Sequence, residues 1–330
     1  MKKFIDNCLR GAGQVMFQNS AWCGLLFLAG IFWGAASNNQ CIVAWGAIVG
    51  LAVSTLTGRI LDMPENDGQQ GLWGFNGILV GCALSTFVGN TPWMWVALVL
   101  CSALTTWVRT GLNNVMKSWR INSLTFPFVL CTWFFLPAAR ALHSLPPTGM
   151  SAPSFPSAPF AVLHGATFVE LLTYWLKGIS QVFLIDSWVT GVLFLAGLAV
   201  SNLRAAAWAA VGSALALAAA IAFGGSADDI SHGLYGFSPV LTAIALATVF
   251  YKPGWRSGTW AVLGVLVTLF VQAGMNMLLM PLGLATLTAP FCITTWLMLL
   301  PLIRMDNTDR HPDHTDWDEH RKQHLKKINN

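Results

Sequence analysis

Apolar residues fill the chain in long runs, broken by short polar interruptions. Runs that approach the roughly 20 residues a bilayer requires fall at 21–37, 40–57, 72–90, 92–108, 121–139, 187–203, 205–224, 234–251, 259–280 and 284–303. The pattern predicts ten spanning helices, and Asp186 and Arg204 bracket 187–203 most tightly. A Pro/Ser-rich stretch from Arg140 to Pro159 parts the fifth run from the sixth and reads as a linker between halves.

Composition agrees with that pattern. Of 330 residues, 55% are hydrophobic and 10% charged, whereas a soluble domain carries roughly 25% charged residues to wet its surface. A large aqueous enzyme, a nucleic-acid binder and a secreted disulfide scaffold are therefore excluded. The 30 glycines and 16 tryptophans suit spans that pack through small residues and anchor at the interface. The seven cysteines, with no CxxC spacing, read as small buried hydrophobes rather than as metal ligands or disulfides. Lys2, Lys3 and Arg10 precede the first run, but no small-residue cleavage site follows, so no cleaved signal is expected.

Charge orients the spans. With an even count both termini share a side; that side collects sixteen of the eighteen Lys and Arg residues, and Arg140 and Lys177 alone fall opposite. The positive-inside rule then puts both termini in the cytoplasm and the linker outside, as expected for an inner (cytoplasmic) membrane protein.

The halves resemble each other. Gly13–Gly30 matches Ser180–Gly197 at Gln14/Gln181, Val15/Val182, Ser20/Ser187, Gly24/Gly191 and the runs Leu26–Gly30 and Leu193–Gly197. Gly71–Phe75 answers Gly233–Phe237, and Leu124–Phe128 answers Leu287–Phe291. With five spans in each half, the second copy must lie upside down relative to the first. The expected organisation is a first repeat over 1–139, an extracytoplasmic linker over 140–164, a second, inverted repeat over 165–303 and a charged cytoplasmic tail over 304–330. The fold class is an all-α integral membrane protein with ten spans plus two re-entrant pore half-helices, since inverted repeats place a path at their interface and build it from broken helices.

The half-helices are expected at 4–15 and 165–182, each too short to cross and ending beside a glutamine. A pair of interfacial amphipathic helices is the alternative. The Thr-x-Pro-Phe blocks suggest helices distorted at Pro127 and Pro290, with Thr125 and Thr288 offering hydroxyls. The spans hold almost no ionisable residue, which favours a neutral permeant moving passively. Acceptors at Gln14, Gln181, Thr125 and Thr288, flanked by Phe75 and Phe237, suit a small planar molecule rich in N–H donors, such as urea or a close amide.

These residues resemble the urea transporter (urea channel) family. The resemblance covers the whole chain and rests on Gln14-Val15-Met16-Phe17-Gln18-Asn19, on Gly74-Phe75-Asn76-Gly77 and on the doubled Thr-x-Pro-Phe signature. It implies a homotrimer with one pore per protomer and urea as permeant. Gln14 and Gln181 would line the outer and inner slots, beside Val15 and Val182, with Thr125 and Thr288 in the middle. Phe17, Phe75, Leu79, Leu184, Phe237 and Leu241 would form the apolar walls. Ile121-Asn122 and Leu284-Ala285 depart from the family's Leu-Pro opening, and Leu184 stands where the first half has Phe17, so the slots should differ in tightness.

Beyond urea and membrane lipids no partner is expected, and no cofactor. The histidines of the tail (His311, His314, His320, His324) lie among mixed charges and read as solvated. An embedded enzyme finds no nucleophile–base pair in the spans. An ion-coupled symporter for urea or a related amide is the alternative.

Overall fold

The computed structural model describes residues 1–156 and 161–301; the tail expected at 304–330 lies outside the described residues. The structure is all-helical. Its first half runs α1 (Lys2–Gln14), α2 (Ala21–Ser37), α3 (Cys41–Ile60), α4 (Glu65–Gln69), α5 (Phe75–Phe87), α6 (Pro92–Met116) and α7 (Phe126–Ala141). The second repeats the series as α8 (Phe168–Ser180), α9 (Trp188–Ser201), α10 (Leu203–Ala222), α11 (Ala227–Ser231), α12 (Phe237–Ile244), α13 (Trp255–Leu279) and α14 (Ala289–Leu299).

Local chemistry sets the helix starts. Ser20 and Ser187 each accept from a backbone N–H three residues on, that of Cys23 and of Thr190, at 3.3 Å. Thr91 caps α6 ahead of Pro92, and Thr167 with Glu170 closes a reciprocal capping box on α8.

Among the described residues four helices are long and apolar enough to cross a membrane: Cys41–Ile60, Leu203–Ala222, and Pro92–Trp119 and Trp255–Leu282 with their terminal turns. Phe168–Phe183 and Trp188–Ser201 qualify only as a pair, bent by 71°. Five further apolar helices among the described residues have 10–17 residues, including Phe75–Phe87, Phe126–Ala141 and Ala289–Leu299, each shorter than the apolar run it falls on.

The reason is visible at Leu124 and Leu287. Both take left-handed φ, at 54° and 50°, and the helix starts only after the threonine that follows. Hydropathy does not register such a start, because the few small polar residues around it, Ser123 and Thr125 or Thr286 and Thr288, are averaged out by the apolar run that follows. It also revises the expected role of the prolines: Pro127 and Pro290 occupy the first turn of α7 and α14, where the missing N–H costs nothing, and distort no preceding helix.

Contacts between the halves are reciprocal. Gly30 backs onto the Phe194 ring and Gly197 onto the Phe27 ring. Trp133 Nε1 donates to the Ala285 carbonyl at 3.0 Å, and Trp296 Nε1 donates to the Asn122 carbonyl at 2.9 Å. Exchanging the halves maps each contact onto its counterpart, which is the signature of two-fold packing.

Within the first half α3 and α5 meet backbone to backbone. A Cβ at Gly50 would collide with the Gly77 carbonyl, and one at Gly81 with the Gly46 carbonyl, the small-residue seam by which apolar helices gain close packing without a hydrophobic driving force. Five of the cysteines are buried and Cys8 is half-buried, but Cys41, at the start of α3, is exposed rather than buried as expected. Arg109 lies inside α6, buried and paired with Asp67 at 2.9 Å, rather than in a loop.

The linker is tied down where it is described. Gly89 N donates to the Pro146 carbonyl at 2.8 Å, Ser154 N donates to the Met280 carbonyl at 3.2 Å, and Ala227 N to the Ala161 carbonyl at 2.8 Å. It drapes over the ends of α5 and α13.

Candidate functional site

Each half brings a glutamine to the end of its first helix. Gln14 is the last residue of α1, and Gln181 opens a single three-residue turn after α8. Phe17 and Leu184 then adopt left-handed φ, 63° and 58°, and turn the chain into α2 and α9. Helical hydrogen bonding thus ends at both places with the backbone reversing inside an apolar region, which is tolerated only where protein or a wet cavity surrounds it.

The glutamine amides are held alike. Gln14 Nε2 donates to the Gln70 carbonyl at 2.8 Å, and Gln181 Nε2 donates to the His232 carbonyl at 2.9 Å. Because a carbonyl only accepts, this contact fixes which end of each amide is the nitrogen and leaves the oxygen as a positioned acceptor.

Gln181 opens onto a cavity of about 820 Å³, lined also by Val182, Leu184, Phe237, Phe87, Phe128 and, at its inner end, Thr288. Met150, Ser151, Ala152 and Ser154 of the linker line it too. Gln181 therefore lies on the linker's side of the molecule. The resemblance implies the inner slot for Gln181; an extracytoplasmic linker, the side that the charge count leads one to expect, would instead put Gln181 toward the outside and Gln14 toward the cytoplasm.

At the cavity's inner end Thr288 Oγ1 meets Thr125 Oγ1 at 2.6 Å. Thr125 Oγ1 also lies 3.4 Å from Cys292 Sγ, and both threonines are buried. Each threonine immediately precedes the first residue of its helix, so each hydroxyl belongs to a helix start.

Beyond that pair the first half is tighter. The Phe17 ring packs edge-on against Phe250 and Phe291, with centroids 6.2 and 6.0 Å away. At the corresponding place in the second half Leu184 stands with Phe87 and Phe128, and all three line the cavity. One ring fewer leaves room there.

The other expected site residues are placed as follows. Phe75 lies beneath the Arg109 guanidinium, 5.9 Å from ring centroid to Cζ. Val15 is buried beside Gln14, and Leu79 and Leu241 are wholly buried at matching positions of α5 and α12.

Sequence reading missed the polar rim. Asp186 Oδ2 lies 2.6 Å from His232 Nδ1, and its Oδ1 lies 2.8 Å from Lys177 Nζ. His232 thus carries Gln181 on its carbonyl and an acid on its ring. Burial, with Asp228 beside it, raises the Asp229 carboxyl above its ordinary pKa, partly offset by the Tyr235 hydroxyl and His232. Gln272, in α13, also lines the cavity. Asn76, noticed only as part of a motif, accepts from Phe128 N at 3.1 Å through Oδ1 and keeps a buried, unpaired Nδ2. The offset of 162 to 163 residues between repeats was the available signal, since it pairs His232 with Gln70 and Gln272 with Arg109.

The arrangement presents neutral acceptors along an apolar groove with a charged rim of Asp186, Asp229 and His232, on a scale that suits a small polar solute. A family model described as urea transporter matches residues 5–303. Urea transporter 1 of Ovis aries is 28% identical over 313 residues, covering 94% of this chain and 80% of that protein. Urea transporter 1 of Mus musculus is 29% identical over 316 residues, with the same coverage.

Proposed function

The chain belongs to the urea transporter family, a family of multi-pass membrane transporters and not of enzymes, and from that premise we propose that it is a passive urea channel of the cytoplasmic membrane. The observation that carries the reading is the line of positioned, uncharged acceptors from Gln181 through Thr288 to Thr125, walled by Leu184, Phe87, Phe128 and Phe237.

Urea leaving water gives up hydrogen bonds that an apolar groove alone would not return, and an unreturned bond costs roughly 1–3 kcal/mol. The Gln181 amide oxygen accepts from a urea N–H at the outer end while the molecule's flat face lies along phenyl and leucine surfaces. The threonine hydroxyls come next. Each donates once and accepts twice, so each can exchange its partner threonine for a urea N–H or carbonyl. On the far side the same sequence of groups recurs in reverse, past Phe17 to Gln14. Among the described residues Arg109 is neutralised by Asp67, and the line from Gln181 to Thr125 is made of uncharged groups, which supports passage without a coupling ion.

In this reading ten crossings, six of them short helices or half of a bent pair, form two inverted repeats over 1–139 and 165–303 with re-entrant α1 and α8. Both termini and the 304–330 tail are cytoplasmic, and three protomers, each with its own pore, make the trimer that the family resemblance implies. Crossing parity supports the sidedness: Asn38, Gln40, Phe87, His232 and Leu284, which lie at or near the ends of different crossings, all line one cavity with the linker.

Stopped-flow urea efflux from proteoliposomes without ion gradients tests the proposal. Fast efflux above protein-free vesicles is expected. Efflux equal to the control, restored by a proton or sodium gradient, would replace the channel by an ion-coupled symporter.

A further inference from the structure

The repeats differ at one electrostatic position. In the first half Arg109 Nη1 donates to Asp67 Oδ2 at 2.9 Å, and its guanidinium lies over the Phe75 ring. The matching positions of the second half are Gln272, Asp229 and Phe237: the carboxylate and the ring are kept, and the guanidinium is not.

The backbone around the two acids is equivalent. Leu72 N donates to the Asp67 carbonyl at 2.8 Å, and Leu234 N donates to the Asp229 carbonyl at 2.9 Å. Gln272 Nε2 donates to the Leu234 carbonyl, which holds its side chain against the same turn. Its Oε1 is buried without a partner, in a residue 1% exposed. A lone buried amide oxygen is a costly feature unless a ligand or water serves it.

Asp229, Gln272 and Phe237 all line the cavity. Asp186 is compensated by Lys177 and His232, and His232 Nε2 lies 3.6 Å from Asp228 Oδ1. Asp229 pairs with no Lys or Arg among the described residues; burial and then the neighbouring Asp228 raise its pKa, and the Tyr235 hydroxyl and His232 partly offset them.

We propose that Asp229, the Gln272 amide oxygen and the Phe237 ring form a site in the outer vestibule, beside the urea path, for a small planar guanidinium-type cation. Such an ion reproduces for the second half what the Arg109 side chain supplies to the first. A carboxylate receives two of its N–H groups, the amide oxygen a third, and the phenyl face its charge. A compact ammonium would meet the carboxylate but lacks the planar fork and the stacking surface. The site rests on the cavity and its side chains and does not depend on the channel reading.

Saturation-transfer NMR of methylguanidinium chloride, observed at its methyl group with the purified full-length protein in detergent, tests this without measuring flux. Saturable transfer is expected, displaced by guanidinium and not by choline. Asp229→Asn should weaken it about tenfold, and Gln272→Arg should weaken it at least as much by supplying a guanidinium from the chain itself. Absence of saturable transfer to the wild type overturns the site. So does wild-type affinity retained in both variants, which would place the cation elsewhere. Because no urea is present, a protein that fails to conduct urea can still pass this test, and one that conducts urea can fail it.

Discussion

Thr125 and Thr288, in separate halves, hold their hydroxyl oxygens 2.6 Å apart at the inner end of the cavity. Replacing either by valine keeps the shape and leaves the other hydroxyl buried without its partner. Each single variant is expected to slow urea efflux about tenfold, as the loss of one hydrogen bond in an apolar passage implies. The double variant should be less than additive, because the pair acts as one unit. Stopped-flow efflux of all three measures both effects, and an unaltered rate would remove the threonines from the path.

Gln181 donates to the His232 carbonyl and lines the cavity. Gln181→Leu removes acceptor and anchor together, and efflux should fall by about tenfold or more. Gln14→Leu, which loses the matching bond to Gln70, should do the same from the opposite side. Measuring sidedness with an impermeant blocker added to one face at a time would show the two effects at opposite faces.

Leu184 leaves space that Phe17 fills in the other half. Leu184→Phe should shrink the outer cavity by packing edge-on against Phe87 and Phe128, as Phe17 packs against Phe250 and Phe291. Urea efflux should drop with little change in thermal stability, because the site has room for the ring. Phe17→Leu should raise efflux if the first half limits the rate. Paired efflux and melting measurements check both.

The seam between α3 and α5 has no space for a methyl group. Gly81→Ala drives Cβ into the Gly46 carbonyl, and overpacking of this kind costs about 1–3 kcal/mol. A lowered melting temperature in detergent is expected. Gly111→Ala, where nothing lies within 4 Å, is the control that should leave melting unchanged or slightly raised.

The helical architecture, the repeat and the paired glutamines were readable because apolar runs and identities recur at a fixed offset. Helix starts in the middle of apolar runs were not, since the left-handed turn at Leu124 and Leu287 leaves no mark in hydropathy. Nor was the burial of Arg109: a cation at the end of a run looks like a loop residue until its partner, Asp67, 42 positions away, comes to face it. Leu79 and Leu241 follow the repeat into matching, wholly buried places; symmetry in sequence fixes equivalence and says nothing about which equivalent residues face a cavity. The polar rim of Asp186, Asp229 and His232 escaped for the opposite reason: it gathers residues from separate turns and has no motif of its own.

The meeting of Thr125 with Thr288 has a consequence for how such a passage arises. When a duplicated segment packs against its own copy, any group on the two-fold axis first encounters itself. A carboxylate there would face a carboxylate and an ammonium an ammonium, and both arrangements repel in a low dielectric. An amide N–H or an indole, which only donates, would leave two donors in opposition. A hydroxyl is both donor and acceptor, so two identical copies satisfy each other without any further change. The neutrality of the midpoint is thus imposed by self-complementarity at the moment of duplication, before any preference for an uncharged solute has acted on it.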